Sequence, residues 1–187
     1  INIINETNNT KKIEKKCSVR KSSINSKELK KNDIFFAIKG KNNDGNNFVE
    51  EALKKRASLA VVNRINRKLN LSKQIKVKDS LNFLTKCSSI YRKSISTKII
   101  AITGSCGKTS LKELLGVILR KFFKVGYSPK SYNNKFGVPL SLFNLDQNND
   151  FGILEVGMDK KGEIDFLSDI VKPDIGVITN ISYAHAK

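Results

Sequence analysis

A chain of 187 residues suits one large domain or two small ones around packed cores, and no apolar run approaches the ~18 residues a membrane span needs. The formal charge of +18 invites a nucleic-acid role, but Lys, Asn and Ile (29, 20 and 21 residues) share A/T-rich codons, so composition accounts for much of the lysine excess. The basic residues also concentrate in 1–97 (23 basic, 8 acidic) rather than 98–187 (12 basic, 9 acidic), scattered among Asn and Ser without the interleaved aromatics of a base-stacking surface.

In chain order, the first thirty residues are Lys/Asn/Ser-rich and weakly patterned. A compact apolar run at 33–40 predicts a strand, 41–47 has the Asn/Asp/Gly chemistry of a loop, and 48–57 has helical spacing through Phe48, Ala52 and Leu53. Strands are expected again at 58–62 and 74–79, followed by a helix over 80–93 with Leu81, Leu84 and Tyr91 near one face. The second half is more regular, with strands expected at 98–103, 124–128, 151–157 and 174–181. Helices are expected between them at 108–123, with Leu111, Leu114, Leu115, Ile118 and Phe122 as its apolar stripe, at 137–145 with Pro139 in the first turn, and at 162–171. The fold class is therefore α/β: a small N-terminal domain over 1–78, then a parallel-sheet domain of phosphate-loop type over 79–187. Cys17, Cys87 and Cys106 form no metal-binding cluster, and their odd number argues for a reducing compartment. With no charged-then-apolar leader, a soluble cytoplasmic protein is expected. The chain opens on Ile1 rather than Met and stops at Lys187, so a partial chain is expected.

The chemistry concentrates in residues 103–110. Thr103, Gly104, Ser105, Cys106, Gly107, Lys108, Thr109 and Ser110 follow a predicted strand and open a predicted helix. Glycines let backbone approach phosphate, and the helix N-terminus offers N–H donors with a favourable dipole. Lys108 can reach terminal phosphates and the Thr109 hydroxyl can bind Mg²⁺. The usual Walker loop has one more glycine, where this chain has Ile102; the plainer alternative is a glycine turn before an ordinary helix. A second metal ligand should come from a neighbouring strand end, and Glu155 stands there, though strand-end glutamates also occur simply as solvated rim residues. His185, the only histidine, follows the last predicted strand and is either a further ligand or a surface histidine. Asn180 ends that strand, where it could orient phosphate or cap a turn. Cys106 reads as a small residue tolerated in the loop.

Taken together these motifs resemble the Mur ligases. Residues 102–109 are similar to that family's shortened phosphate loop, which removes the difficulty at Ile102. The Asn-Asn…Gly-Val-Pro segment at 131–142 resembles the D-alanyl-D-alanine-adding branch, and 154–185 resembles the family's Glu-x-Gly…Gly-Glu-Ile…Thr-Asn-Ile…Ala-His stretch almost throughout. Residues 25–40 are similar, more loosely, to the family's UDP-binding segment, with Asn25 and Lys27 where Asp and Arg are usual, Asn32 for a glycine, and Asn46 where a His is frequent. The resemblance implies an ATP- and Mg²⁺-dependent amide ligase acting through an acyl phosphate. Its substrates would be UDP-N-acetylmuramoyl-tripeptide and D-alanyl-D-alanine, its product a cytoplasmic peptidoglycan precursor, and its state a monomer without nucleic-acid or membrane partners.

By the same resemblance, Lys108, Glu155 and His185 are catalytic, and Thr109, Glu155 and His185 hold metal. Thr103 to Ser110 and Asn180 serve the ATP phosphates, while Ser26, Lys27, Asn133 and Asn134 meet substrate. Mur ligases have three domains, so residues 1–187 by themselves are expected to lack ligase activity and at most to bind nucleotide weakly. Other Mur-like ligases, of the third-residue-adding, cyanophycin or folate type, and a basic nucleotide- or nucleic-acid-binding module are the alternatives.

Overall fold

The computed structural model describes residues 2–7, 19–129 and 131–182. It divides into two compact units, Ile1–Cys87 and Ser88–Lys187. Both are built on parallel sheets, as strands alternating with helices require. Among the described residues no helix is long and apolar enough to cross a membrane.

The first unit contains α1 (Asn2–Thr7), β1 (Ser22–Ser23), β2 (Ile34–Phe36), α2 (Val49–Lys54), β3 (Leu59–Val62) and β4 (Gln74–Lys76), with the strands in the order β1-β2-β3-β4. Every residue of β2 and β3 is buried, which explains their unbroken apolar runs. Phe35, Ala37, Ala60 and Val62 pack with Val49 and Ala52 of α2. The strand β1 had no sequence signal: two serines pair with Ile34 and Phe35 through backbone alone.

Helix α3 (Ser80–Ser94) spans the division between the units. Its buried positions are Ser80, Phe83, Leu84, Cys87 and Ser88, a three-and-four stripe. Burial pushes the Cys87 thiol up to about 11, so it stays protonated and packs as a small core group.

The second unit comprises β5 (Lys98–Thr103), α4 (Lys108–Leu119), β6 (Val125–Tyr127), α5 (Gly137–Phe143), β7 (Phe151–Glu155), α6 (Glu163–Val171) and β8 (Ile175–Ile178). The strands run parallel in the order β6-β7-β5-β8. Strand alternation sorts the core into two layers. Ile99, Ala101 and Leu154 pack with Val138 and Leu142 of α5 and Leu167 and Ile170 of α6, while Ile100, Ile102 and Ile153 meet Leu111, Leu115 and Leu119 of α4. Because all four strands run the same way, their carboxyl ends collect at one edge, where α/β sheets bind ligands.

Helix α4 corrects the expected apolar stripe. It ends at Leu119, and its sheet-facing positions are Leu111, Lys112, Leu115, Gly116 and Leu119. Leu114 is 56% exposed, Phe122 75%, and Ile118 also faces outward. The rotation follows from Gly116: a Cβ there would stand 2.9 Å from the Tyr127 ring, so the helix lays its one residue without a side chain against β6. Two apolar stripes share this helix, and spacing alone does not say which one the sheet takes.

At the opposite edge, Asp174 ties β8 to β5. It accepts the Ile99 N–H at 2.8 Å, Arg92 Nη2 at 2.9 Å and Lys98 Nζ at 3.1 Å. The Ile99 N–H, then Lys98 and Arg92, hold its carboxyl below the usual carboxylate range against a smaller opposing effect of burial. A depressed folded-state pKa gives stability that is present above the unfolded value, near 4, and lost as pH falls through the folded value. Asp174→Asn is therefore expected to lower stability at neutral pH by roughly 1.5–3 kcal/mol, the scale of one hydrogen bond to a charged group. In urea unfolding, the gap from the unsubstituted protein should close as pH falls below about 4. A gap unchanged down to pH ~2 would count against this account.

Candidate active site

The turn leaving β5 needs two left-handed glycines, Gly104 (φ +133°) and Gly107 (φ +79°). A Cβ on Gly104 would lie 2.1 Å from Thr179 Oγ1 and 3.0 Å from the Asn180 backbone, so the close approach excludes any side chain. The segment after β8 holds the loop from outside. Thr179 N–H donates to the Thr103 carbonyl (2.9 Å), Ser105 N–H to the Asn180 carbonyl (3.1 Å) and Cys106 N–H to Asn180 Oδ1 (3.0 Å). Thr179 Oγ1 donates to the Cys106 carbonyl, and Asn180 Nδ2 reaches Cys106 Sγ at 3.2 Å. Ser105 Oγ donates to the Ser182 carbonyl (2.9 Å) and accepts the Ser182 N–H (2.8 Å). Asn180 thus organises the loop with both its main chain and its amide, and Cys106 is engaged through its N–H, carbonyl and sulfur.

Gly107 stands at the N-cap of α4 with no side chain to satisfy the first-turn N–H groups, which suits them to an anion. Lys108 folds back to donate to the Gly104 carbonyl, and Ser110 is exposed in the same first turn. Thr109 Oγ1 donates to Glu155 Oε2 at 2.8 Å and lies 3.5 Å from Ser131 Oγ. Glu155 ends β7 and is only 2% exposed, in register with Ile102 of β5. Its other oxygen, Oε1, accepts Asn133 Nδ2 at 2.8 Å. The two Asn residues separate here: Asn133 reaches Glu155, whereas Asn134 Oδ1 accepts the Phe136 and Gly137 N–H groups at 3.0 Å and fixes the entry to α5.

Sequence reasoning missed Lys112. Its side chain is fully buried, donating to the Ser128 carbonyl at 3.0 Å and lying 3.3 Å from Glu113 Oε1 and 3.9 Å from Glu155 Oε2. The available signal was helical position: Lys112 lies three residues past Thr109 and four past Lys108, between Leu111 and Leu115.

Among the described residues no group of three or more His, Cys, Asp or Glu could hold a metal. Two hard oxygens 2.8 Å apart, one carboxylate and one hydroxyl, nevertheless fit Mg²⁺, which takes few protein ligands beside phosphate oxygens. His185 lies outside the described residues.

In the first unit, Ser26 is buried and donates its hydroxyl to Glu51 Oε2 at 2.7 Å, while Lys27 is exposed. Asn46 Oδ1 accepts the Asn63 N–H at 3.0 Å and the Arg64 N–H at 3.3 Å, so this amide braces the turn after β3.

Residues 102–187 match the family model of the Mur ligase middle domain. This segment is a Mur ligase middle domain. A UDP-N-acetylmuramoyl-tripeptide–D-alanyl-D-alanine ligase of Rickettsia prowazekii is 39% identical over 162 residues, covering 87% of this chain and 36% of that relative. The crystal structure of MurF from Acinetobacter baumannii superposes with a TM-score of 0.84 at 29% identity, over 98% of this chain and 41% of that one. The MurF ligase from Thermotoga maritima in complex with ADP gives 0.77 at 32% identity, over 93% and 40%. The chain thus spans little more than a third of the length of the curated relatives it matches.

Within the Mur ligase middle domain, the phosphate loop depends on the missing side chain of Gly104. Gly104→Ala is expected to cost about 1–3 kcal/mol of stability, from backbone strain and the clash with Thr179. ADP affinity should fall at least about tenfold as the loop shifts off the 179–182 segment. Denaturant unfolding and an ADP titration on the same sample check both; unchanged ADP affinity would contradict the loop's assignment.

Proposed function

We propose that the protein is an ATP-dependent ligase joining D-alanyl-D-alanine to UDP-N-acetylmuramoyl-tripeptide in the synthesis of a cytoplasmic peptidoglycan precursor. The observation that carries this reading is the Thr109–Glu155 pair, held at 2.8 Å beside a glycine-framed loop whose lysine, Lys108, stands in the first turn of α4. Relatives bearing that activity in their names, at 39% and 38% identity, support the choice of substrates.

A terminal carboxylate of the tripeptide attacks the γ-phosphorus of ATP, ADP leaves, and an acyl phosphate forms. The amine of D-alanyl-D-alanine then attacks the acyl carbon, the tetrahedral adduct collapses, and inorganic phosphate departs with the amide in place. There is little covalent work for the protein, so positioning and charge stabilisation dominate. Loop N–H groups and the α4 dipole hold the phosphates, and Lys108 exchanges the Gly104 carbonyl for a phosphate oxygen.

Thr109 and Glu155 would hold Mg²⁺, which neutralises charge on the phosphate oxygens when bound. Asn133, by fixing Glu155 Oε1, keeps Oε2 turned to Thr109. His185 is assigned to a further metal position. Ser26 and Lys27 are assigned to the UDP portion, with the exposed Lys27 as the side chain able to meet diphosphate.

In the full-length protein, phosphate release is expected to require both UDP-tripeptide and D-alanyl-D-alanine. Lys108→Ala should lower kcat/KM at least about 100-fold, the usual cost of losing a donor to developing charge. Release that is independent of the dipeptide, or that prefers a free amino acid in an amine panel, would overturn the assignment.

A further inference from the structure

Lys112 is the one lysine in the second unit whose ammonium is wholly removed from solvent among the described residues, and the ligase reading gives it no task. A fully buried ammonium is rare unless it is paired, and here three elements meet on it. It rises from α4, donates to the Ser128 carbonyl just after β6, and stands 3.9 Å from the Glu155 carboxylate at the end of β7. At that separation it acts on Oε2 by charge and not by a hydrogen bond. The oxygen that meets Thr109 therefore keeps its remaining lone pair for a cation. A lysine at ordinary hydrogen-bond distance would occupy that lone pair.

We propose that Lys112 is a positioning residue for the divalent cation that accompanies nucleotide, keeping the buried Glu155 carboxylate aimed at Thr109 while leaving its coordinating direction open. The Ser128 carbonyl and Glu113 hold the ammonium back at this stand-off distance. Lys108 meets phosphate while Lys112 faces the ligand of the metal, so the two lysines, four residues apart on one helix face, divide the work. The proposal rests on the magnesium-nucleotide reading of the site.

The test is equilibrium titration of a fluorescent ADP into the full-length protein with and without Mg²⁺, for the unsubstituted protein, Lys112→Met and Lys112→Arg. The unsubstituted protein should show a gain in ADP affinity on adding Mg²⁺. In Lys112→Met that gain should shrink at least about tenfold, the scale of losing a partner of a metal ligand, while metal-free affinity stays within about twofold. Lys112→Arg should restore part of the gain. If Lys112→Met does not fold, Lys112→Gln, which retains a donor for the Ser128 carbonyl, is measured in its place with the same expectation. A full Mg²⁺ gain in the variant overturns the proposal, as does an equal loss with and without metal, which would mark a merely structural role. No Mg²⁺ gain in the unsubstituted protein would overturn the magnesium-nucleotide reading itself, and this proposal with it.

Discussion

The second unit is organised around a carboxylate that has been taken out of water. Glu155 sits at the end of a central strand with 2% exposure, and a charge so placed is tolerated only where the surrounding groups replace its hydration. Thr109, Asn133 and Lys112 do so from α4 and from the loop before α5, while the parallel register of β7 against β5 fixes where the backbone delivers it. Each supporting element is thereby constrained. The helix must start where it does to bring Thr109 within 2.8 Å, and it must be rotated so that Lys112 faces inward. Such a cluster is a poor source of net stability, since an apolar replacement of similar shape does as well or better. Losing one partner alone leaves a buried charge uncompensated, at a cost of about 3–5 kcal/mol. On the proposed reading, the cluster is explained by what an oriented, dry carboxylate would do beside phosphates.

The same cluster shows why the sequence was readable in some places and opaque in others. Strand β5 lies over the six residues 98–103 that its apolar run marked, and α6 and β8 fall within their expected spans, because their patterns report burial directly. The glycine turn between β5 and α4 was legible because glycines at a strand-to-helix junction mark left-handed backbone, and Gly104 and Gly107 both adopt it. The sheet-facing stripe of α4 was not legible. Leu114, Val117 and Ile118 are as apolar as Leu111, Leu115 and Leu119, and the choice between them rests on Gly116 meeting Tyr127 and on Lys112 meeting Glu155. Both are tertiary facts, and a lysine inside a helix reads as a solvated residue unless its partner is already in view. Asn133 and Asn134 pose the same problem at closer range: adjacent and chemically identical, they part company because one faces β7 and the other the N-terminus of α5.

The missing first glycine of the longer phosphate loop also has a physical account. Ile102 occupies that position and cannot leave the sheet, since it pairs with Glu155 on one side and Val177 on the other and is fully buried. The turn is therefore short, and it takes from outside the support that a longer loop would find within itself. Thr179, Asn180 and Ser182 supply that support through the N–H groups of Ser105 and Cys106, the Ser105 hydroxyl, and the carbonyls of Thr103 and Cys106. This also gives Cys106 a place. Its backbone is the part the loop uses, and its thiol is a side chain small enough to lie beside the Asn180 amide.

A loop pinned in this way changes what nucleotide binding has to achieve. Fixing a flexible turn costs about 1–2 kcal/mol per residue in backbone entropy, and here that cost is met in folding, by bonds to a neighbouring strand's exit segment. Little in the loop is left to order except Lys108, whose ammonium already has an acceptor in the Gly104 carbonyl. On the proposed reading, binding phosphate at Lys108 would exchange one oxygen for a charged and stronger one, with the helix and both glycines already in position. The segment that pins the loop leads directly out of β8, so whatever moves residues 179–182 moves the loop with them. Loop, strand exit and buried carboxylate are joined by hydrogen bonds, so a displacement at any of the three is felt at the others.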